Sequence, residues 1–472
     1  MSRTWDLVIL GGGTAGLVAA RTAAALGARV ALVEAGRPGG DCLWTGCVPS
    51  KSLIAAARVA AEARTGHRFG VEVDRVEIDF AAVMAHVHSA IEAIEPHDSA
   101  DTLRGYGVAV HSGRGRLTHD LAVEVNGTRL RARNVLLATG SEPMLPPVDG
   151  LPDAGALTTD TIWDLAELPD RLTVLGGGTT GCELAQAFAR LGSRVTLVEG
   201  AARLLSSEDP DASLVVTRAL EADDVRVLTG TRASAASAGS LALDDGQVVG
   251  HDALLVATGR HPRTSDLGLE RAGVDLDDHG FVRVDEHLRT TNPRVFAAGD
   301  LTGHPQLTHV AGVHGSVAAI NALLGLRRTP ETKVVPRVTF TDPEVAAVGV
   351  STADAEQDKD LSVLTERYTG LDRAITEGRP EGFTRLVVDK KGRVVGATVV
   401  GPRAGESLAE LVLAIKQGAR ARDLVGSMHA YPTYADAAWN AAITRTMNRL
   451  SRPIPRTLVR GRLRLRRARP RR

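Results

Sequence analysis

The chain has 472 residues, of which 43% are hydrophobic, 24% charged and only 3% aromatic. This length predicts roughly two to four domains, and the ordinary globular composition excludes a disordered, collagen-like or coiled-coil chain. Basic and acidic residues number 56 each, and aromatic residues on which bases could stack are scarce, so nucleic acid is not expected as a partner.

Cysteine is scarce, and no long apolar segment occurs. Three cysteines cannot form the disulfide framework of a secreted protein, which indicates a reducing compartment. The N-terminal residues do not resemble a signal peptide, because Asp6 and a glycine loop interrupt the apolar run. No apolar stretch of about 18 residues is present, so no transmembrane helix is predicted. We therefore expect a cytoplasmic protein without a membrane partner.

The first predicted elements are a strand, a glycine turn, a helix and a second strand. An apolar strand from Trp5 leads into the loop GGGTAG, and after an alanine-rich helix the second strand ends at Glu34. In a dinucleotide-binding unit, the first glycine, Gly11, allows the tight turn. The second, Gly13, lets the pyrophosphate approach the backbone, and the third, Gly16, lets the helix pack closely against the strand. Glu34 stands where such a unit places an acid for the ribose hydroxyls.

Two cysteines follow this unit in the segment GGDCLWTGCVPSK, and a helix is predicted from Ser52 to Ala63. In a continuous helix Cys42 and Cys47 would be separated by a rise of about 7.5 Å, beyond the usual span of a disulfide. A disulfide therefore requires a distorted segment, which Gly46 and Pro49 would permit. Two inert buried thiols or half of a metal site are the alternatives.

A second unit repeats the first. The loop GGGTTG follows a strand from Leu172, and the strand after the next helix ends at Glu199. In both units the acid follows the last glycine by 18 residues. We therefore predict two dinucleotide sites, most simply for a flavin and a nicotinamide dinucleotide that exchange hydride. The glycines of the second loop are Gly176, Gly178 and Gly181.

The second unit also indicates which nicotinamide dinucleotide binds. The carboxylate of Glu199 accepts ribose hydroxyls but repels a 2′-phosphate, which favours NADH. Arg203 follows four residues later and could reach a phosphate, so NADPH is the alternative. Cys182, within the second unit's helix, is predicted to be a core residue.

The cysteine segment resembles the redox-active disulfide motif of the class I pyridine nucleotide–disulfide oxidoreductases, the family of dihydrolipoamide dehydrogenase, glutathione reductase and mercuric reductase. The resemblance extends over about residues 4–447. Supporting segments are ATG at 138–140, ATGR at 257–260, the run from Thr290 to Asp300, and PRVTFTDPE at 336–344.

The resemblance implies an α/β fold, with two Rossmann-like dinucleotide-binding domains and a C-terminal α+β dimerisation domain, in a homodimer. The FAD-binding domain would occupy residues 1–147 and return in a central segment at 266–328. The NAD(P)-binding domain would occupy 148–265 and the dimerisation domain 329–450. An arginine-rich tail would follow at 451–472.

The resemblance also implies roles for matched residues. Cys47 would be the thiol beside the flavin, and Cys42 the interchange thiol that meets the substrate. Lys51 would approach the flavin N5 and pair with Glu183. No metal site is implied. Further cofactor contacts would come from Glu34, Thr139, Gly140, Gly259 and Asp300.

The C-terminal motif departs from the family pattern. Disulfide-reducing members have His-Pro followed by a Glu, whereas this chain has Tyr431 before the proline and Asp436 in place of the acid. A phenol with a pKa of about 10 can donate a proton but is a poor base at neutral pH. His429 could replace the lost imidazole if the segment is extended, because residues two apart then point the same way. Mercuric reductases share the tyrosine, but no cysteine follows Cys182 to match their terminal pair.

These features predict an FAD-dependent NAD(P)H:disulfide oxidoreductase, similar to mercuric reductase, that passes electrons through a Cys42–Cys47 disulfide to a small disulfide, dithiol or thiol-bound acceptor. Dihydrolipoamide dehydrogenase is the nearest alternative. A quinone or dye reductase that needs no cysteine and a non-catalytic flavin redox sensor are two others.

The end of the chain is strongly basic. From Arg452 onward there are ten arginines and no acid, which leaves 46 basic and 56 acidic residues in the rest of the chain. This pattern predicts a solvated basic tail, with a partner-binding arm as the alternative.

Overall fold

The computed structural model describes residues 4–450 and 453–467. These residues divide into two compact units. The first contains the chain up to Ala202 together with Leu220–Glu331, and the second contains Arg203–Ala219 together with the chain from Thr332. Both units are built on β-sheets with helices packed against them.

The described part of the chain that precedes residue 331 contains 17 strands and eight α-helices. The strands here are β1 (Trp5–Leu10), β2 (Val30–Glu34), β3 (Ala109–Ser112), β4 (Arg116–Leu117), β5 (Ala122–Val125), β6 (Thr128–Leu137), β7 (Ser141–Pro143), β8 (Leu157–Thr158), β9 (Arg171–Leu175), β10 (Arg194–Glu199), β11 (Arg226–Thr229), β12 (Ala233–Ser237), β13 (Ser240–Leu243), β14 (Val248–Gly250), β15 (Ala253–Val256), β16 (Arg260–Pro262) and β17 (Val295–Ala297). The helices are α1 (Thr14–Ala25), α2 (Gly40–Trp44), α3 (Cys47–Thr65), α4 (Phe80–Asp98), α5 (Ala100–Gly105), α6 (Thr179–Leu191), α7 (Pro210–Ala222) and α8 (Thr308–Leu324).

Two parallel sheets organise the first unit. In one sheet the parallel strands lie in the order β3-β2-β1-β6, with β17 also parallel to β6, while β5 and β4 continue it in antiparallel pairs. In the other the parallel order is β11-β10-β9-β15-β8. In both sheets the strand before the glycine loop lies in the interior. This is the strand arrangement of dinucleotide-binding folds, in which ligands bind beyond the carboxyl ends of the strands.

Small residues set the packing of the first sheet. The central strand β1 is buried along Leu7–Leu10, as expected where helices cover both faces of a parallel sheet. Alanines on α1 let this helix approach α8 closely. A Cβ added to Gly315 of α8 would lie only 2.1 Å from the carbonyl oxygen of Ala15 on α1. The short distance fixes α8, and therefore Thr308 at its start, against the first glycine loop's helix.

The second unit contains one antiparallel sheet with helices against it, in strand order β18-β19-β22-β21-β20. The segment from Arg203 is bound to this sheet by ion pairs of the buried carboxylates of Glu208, with Arg337, and of Asp209, with Arg385. The strands are β18 (Arg337–Thr339), β19 (Glu344–Gly349), β20 (Leu361–Arg367), β21 (Phe383–Asp389) and β22 (Val394–Gly401). The helices are α9 (Thr352–Gln357), α10 (Asp372–Thr376), α11 (Ala404–Lys416), α12 (Ala421–Gly426), α13 (Asp436–Leu450) and α14 (Pro453–Arg467).

The predicted α/β class, with two Rossmann-like sheets and a separate α+β unit, is confirmed. The predicted domain boundaries are not tested by the division into two units and stay a prediction. Within the described ranges, no helix has both the length and the apolar character needed to cross a bilayer.

Candidate active site

The two cysteines lie on either side of a break between helices. Cys42 is on α2, and Cys47 is the first residue of α3. Between them Gly46 has φ −119° and ψ −110°, and a Cβ there would lie 2.8 Å from the carbonyl oxygen of Asp41. Because the break removes the helical rise between the cysteines, the Cys42 thiol reaches Cys47 and forms a hydrogen bond with its sulfur.

This geometry corrects two predictions about the segment. The helix begins at Cys47, five residues before the predicted Ser52, and it ends at Thr65. Pro49 lies in its first turn, where the missing N–H leaves no helical bond unmade, so the proline does not distort the chain. The break between the two helices lies at Thr45, with φ −138° and ψ 0°, and at Gly46. Cys47 is therefore placed at a helix N-terminus, where a negative charge is stabilised.

A second hydrogen bond reaches Cys47 from a distant part of the chain. The sulfur of Cys47 lies 3.3 Å from the hydroxyl oxygen of Thr308, which is the first residue of α8. The side chain of Cys47 is exposed, whereas that of Cys42 is partly buried. Hydrogen bonds from two groups to an exposed sulfur stabilise its ionised form, the thiolate.

The pKa values of the two thiols move in opposite directions. The hydrogen bond from Cys42 lowers the pKa of Cys47 to about 6, with help from the Thr308 hydroxyl and the Lys51 ammonium. The surrounding protein partly shields the sulfur from water and acts in the opposite direction. The same hydrogen bond, together with burial, raises the pKa of Cys42. Above about pH 6 the reduced pair therefore holds one thiolate, on Cys47, and one proton, on Cys42. Cys182, in contrast, is buried, and burial raises its pKa.

Replacing Thr308 with valine should raise the pKa of Cys47 from about 6 to about 7, because a hydrogen bond to a charged group contributes about 1.5 kcal/mol, or one pH unit. The pH dependence of iodoacetamide alkylation of Cys47 in the reduced protein measures this change. Thr308→Ser keeps the hydroxyl and should leave the midpoint in place. An unchanged midpoint in Thr308→Val would show that the hydroxyl does not stabilise the thiolate.

Lys51 and Glu183 form an ion pair one helical turn beyond Cys47. The Nζ atom of Lys51, on α3, lies 2.8 Å from Oε2 of Glu183, on α6. Glu183 is buried, with 3% of its side chain exposed, whereas Lys51 is 36% exposed. The structure thus brings together two residues that the family resemblance paired across 132 positions of sequence.

The first glycine loop leaves room for a phosphate at the start of α1. Gly11 has φ +104°, and a Cβ there would lie 2.2 Å from the carbonyl oxygen of Ala138. A Cβ on Gly16 would lie 1.9 Å from the carbonyl oxygen of Gly11, so neither position accepts a side chain. Gly13 precedes α1, and its side-chain position is open except for Gly40, whose Cα would lie 3.7 Å away.

The second glycine loop repeats this geometry. Gly176 has φ +113°, and a Cβ there would lie 2.5 Å from the carbonyl oxygen of Ala257. A Cβ on Gly181 would lie 1.8 Å from the carbonyl oxygen of Gly176. Nothing lies within 4 Å of the side-chain position of Gly178, directly before α6. Each loop therefore offers the backbone N–H groups of a helix start to an approaching phosphate.

The two acids that were predicted to bind ribose form hydrogen bonds with the glycine loops. Glu34 accepts a hydrogen bond from the amide of Gly12 at 2.5 Å, and Glu199 accepts one from the amide of Gly177 at 2.6 Å. Each carboxylate accepts a further bond, at 2.6 Å, from the amide two residues beyond it. The carboxylates are thus held at the ends of β2 and β10 beside the loops.

The ATG segments occupy matching places in the two sheets. They directly follow β6 and β15, and their alanine carbonyls are the groups that crowd the first glycine of each loop. Thr139 donates its hydroxyl to the carbonyl of Arg263 at 2.7 Å. Gly140 and Gly259 have φ values of +71° and +142°, which favour glycine.

A chain of polar contacts that the sequence analysis missed connects Asp300 with the cysteine segment. Ser141 donates its hydroxyl to Asp300 at 2.7 Å and accepts a hydrogen bond from Nε of Arg260, also at 2.7 Å. The same guanidinium forms an ion pair with Asp41, which Arg263 approaches to 3.3 Å. Burial raises the pKa of Asp300, against the effect of its bond from Ser141. Because Asp41 immediately precedes Cys42, this chain fixes the position of α2.

Tyr431 and Asp436 lie in the second unit and interact with neighbours there. Tyr431 is 74% exposed, and its hydroxyl donates to Asp372 at 2.6 Å, which raises the pKa of the phenol. Asp436 begins α13 and accepts a hydrogen bond from the amide of Thr433 at 2.9 Å. A carboxylate in this position stabilises the turn that precedes the helix.

His429 does not share the surroundings of Tyr431. Its Nε2 lies 3.0 Å from a carboxylate oxygen of Glu410 on α11, its Nδ1 lies 3.2 Å from the carbonyl oxygen of Ser427, and its ring packs near Trp439. The structure gives His429 and Tyr431 different partners, and the expectation that the two side chains point the same way stays a prediction. The catalytic role assigned to His429 rested on that expectation and stays a prediction without geometric support.

The first unit thus combines two dinucleotide-binding turns with a hydrogen-bonded thiol pair. Fold and site together define an oxidoreductase that uses two dinucleotides and a dithiol centre.

Comparisons with known proteins identify the family. The pyridine nucleotide-disulphide oxidoreductase family matches residues 5–315, and its dimerisation domain matches residues 335–442. The chain is 37% identical to a mercuric reductase of Streptomyces lividans, over 94% of this chain and 96% of the relative. It is 35% identical to a dihydrolipoyl dehydrogenase of Chlamydia pneumoniae, over 96% and 99%. The crystal structure of LpdA from Mycobacterium tuberculosis matches with a TM-score of 0.86 at 31% identity, covering 93% of this chain and 99% of that one. The chain belongs to the pyridine nucleotide–disulfide oxidoreductase family.

Enzymes of this family depend on FAD and use NAD(P)H, so the predicted enzyme class and cofactors are confirmed. The residues present fit both groups, because each glycine loop leaves open space before a helix start and each has an acid beside it. Relatives with two different activities match the chain equally well along its length.

Proposed function

We propose that the chain is an NADH-dependent, FAD-containing oxidoreductase whose Cys42–Cys47 pair reduces a small disulfide or a thiol-reactive acceptor. The observation that supports this most directly is the hydrogen bond between the two thiols, with the lowered pKa of Cys47 that results from it. The matched dimerisation domain supports a homodimer. A thiol pair that must return to its reduced form supports a reducing, cytoplasmic setting.

The thiol pair can complete a balanced cycle. Cys42, after its proton passes to Cys47, attacks one sulfur of the acceptor disulfide and forms a mixed disulfide. The released thiolate takes up that proton and leaves as a thiol, so Cys47 is again a thiolate. The Cys47 thiolate then attacks the sulfur of Cys42, which releases the second thiol and closes the Cys42–Cys47 disulfide. FAD, when bound, supplies the chemistry that returns two electrons from NADH to this disulfide. Over one cycle the acceptor gains two electrons and two protons, one proton from NADH and one from solvent.

The residues at the C-terminal motif favour an acceptor that needs little base catalysis. Asp372 raises the pKa of the Tyr431 phenol, so Tyr431 stays protonated at neutral pH and can only donate. This supports a function similar to mercuric reductase rather than ordinary dihydrolipoamide turnover. Dihydrolipoamide dehydrogenase is the second candidate, because a dihydrolipoyl dehydrogenase matches the chain over 99% of its own length.

Substitution of Glu199 by glutamine should weaken the preference for NADH over NADPH by about tenfold in kcat/KM, since the charge that repels a 2′-phosphate is lost. Glutamine keeps an oxygen that can accept from the amide of Gly177, so the loop is preserved. Steady-state rates with each coenzyme measure the effect. Glu34→Gln, the matched change in the first unit, should lower FAD content and leave the coenzyme preference as it was. A preference that Glu199→Gln does not alter would contradict the assignment.

The proposed function is tested with purified, FAD-loaded protein and a panel of acceptors. NADH oxidation is followed with lipoamide, glutathione disulfide, an aromatic disulfide, thiol-bound mercuric ion and a quinone. Each assay is repeated with a variant that has Cys42→Ser and Cys47→Ser. We expect turnover with a disulfide or the thiol-bound metal, and its loss in the variant. Quinone turnover that persists in the variant, without any disulfide activity, would indicate a cysteine-independent reductase. No turnover with any acceptor would indicate a redox sensor.

A further inference from the structure

The last described helix, α14 (Pro453–Arg467), is basic and has exposed apolar residues. It contains six arginines and no acid. Every residue from 457 to 467 is exposed. The apolar side chains among them include Leu458 and Leu465, with 69% and 71% of their surface exposed. Apolar surface of this extent is unusual on a helix that also has six positive charges.

The helical register places two of the leucines on a different side of the helix from most of the arginines. Leu458, Gly461 and Leu465 are spaced three and four apart and lie along one face. Arg460, Arg464 and Arg467 follow the same spacing along the opposite side. The remaining arginines with described side chains, Arg462 and Arg466, border the leucine face. The result is a leucine face flanked by positive charge, while the exposed Val459 and Leu463 lie outside this face among the arginines.

A helix of this composition is unstable when it stands alone in water. Arginines four residues apart repel each other, as in the pairs Arg460 with Arg464 and Arg462 with Arg466. A helix of 15 residues is of marginal stability even without such repulsion. A partner that is both negatively charged and apolar would remove the repulsion and cover the leucines. The matched dimerisation domain ends at residue 442, so the helix lies outside it.

We propose that α14 binds an anionic lipid surface, lying parallel to it with Leu458 and Leu465 toward the acyl chains. This is the arrangement expected of a basic amphipathic helix with leucines on its apolar face. Nucleic acid would neutralise the arginines but would leave the leucines in water, and the helix has no aromatic residue on which a base could stack. The excess of acids in the rest of the chain is repelled by such a surface, so contact is restricted to the helix.

This proposal is independent of the redox function. A helix that lies on a bilayer does not cross it, which agrees with the lack of a spanning helix among the described residues. It departs from the sequence-based expectation that the protein has no membrane partner. That expectation considered only helices long enough to span.

Sedimentation with lipid vesicles tests the proposal on the full-length, FAD-loaded protein. One set of vesicles contains phosphatidylcholine and phosphatidylglycerol in a ratio of about two to one, and the other contains phosphatidylcholine alone. We expect binding to the anionic vesicles only, with a rise in helical circular dichroism and a loss of binding at high salt. Each arginine near such a surface contributes about fivefold to affinity, so Arg460→Gln, Arg464→Gln and Arg467→Gln together should weaken binding about a hundredfold.

A variant with Leu458→Asn and Leu465→Asn separates the possible partners, since it keeps every charge. It should lose at least about tenfold in vesicle affinity. Equal binding to both vesicle types, or to neither, would overturn the proposal. Binding to duplex DNA that survives the leucine changes, without vesicle binding, would overturn it in favour of nucleic acid. If the protein forms an oligomer that the two leucine substitutions dissociate, and does not bind vesicles, the proposal would be overturned in favour of a second copy of the chain as the partner. The far-ultraviolet circular dichroism spectrum and the thermal melting curve of each variant, measured without vesicles, show whether it is folded. These controls do not depend on the proposed redox function.

Discussion

Replacing Cys47 with serine is expected to abolish the long-wavelength charge-transfer absorption of the NADH-reduced, FAD-loaded protein. The same change should lower NADH-dependent disulfide reduction by about a thousandfold or more, because a serine hydroxyl cannot ionise near neutral pH or form a disulfide. The hydrogen bonds to Cys47 identify it as the thiolate of the pair. Anaerobic titration with NADH, followed by absorption spectroscopy, measures the first effect, and steady-state assays measure the second.

The matched control is Cys42→Ser. The serine hydroxyl can still donate a hydrogen bond to Cys47, so the thiolate persists and cannot be oxidised to the internal disulfide. We therefore expect the charge-transfer absorption to be present before any NADH is added, although disulfide reduction is lost to the same extent. If Cys47→Ser keeps the absorption and Cys42→Ser removes it, the roles of the two cysteines are the reverse of those proposed.

Replacing Lys51 with methionine should lower the free energy of unfolding by about 3 kcal/mol. The change removes the Lys51 ammonium from the buried Glu183 carboxylate, and removal of one partner of a buried ion pair costs about 3–5 kcal/mol. The lower value applies because the Lys51 ammonium is one-third exposed. The change should also raise the pKa of Cys47, which the ammonium lowers. Urea unfolding and the pH dependence of alkylation measure the two effects.

The double variant Lys51→Met with Glu183→Gln separates stability from electrostatics. It leaves no buried charge uncompensated, so part of the lost stability should return, whereas the pKa of Cys47 should stay raised. Lys51→Arg keeps the charge and should keep the lowered pKa of Cys47. Full stability in Lys51→Met alone would show that the ion pair does not support the fold.

Local sequence patterns predicted much of the first unit. The two glycine loops and their acids follow a spacing that backbone sterics impose, and the structure reproduces it in both sheets down to the carbonyl that crowds Gly11 and Gly176. The cysteine segment was identifiable because Cys42 and Cys47 stand in a motif of high specificity. The start of α3 was misplaced because a proline near a helix start is compatible with both a turn and a first helical turn.

Contacts between distant segments could not be predicted from these patterns. No local signal indicates that Thr308 would reach Cys47 or that Arg260 would bind Asp41. The same applies to His429. Glu410 on α11 is a partner for its imidazole, and no local pattern predicts that contact.

The distance in sequence between Cys47 and its partners has a consequence for protein synthesis. Glu183, which binds the lysine beside Cys47, emerges from the ribosome 132 residues after Lys51, and Thr308 emerges 261 residues after Cys47. Domains fold as their residues become available. Until α8 has been made and packed against α1, Cys47 lacks one of the hydrogen bonds that lower its pKa, and the thiol is less readily oxidised. The thiol of the unfinished chain is therefore less reactive than that of the finished enzyme, because it has one hydrogen bond fewer.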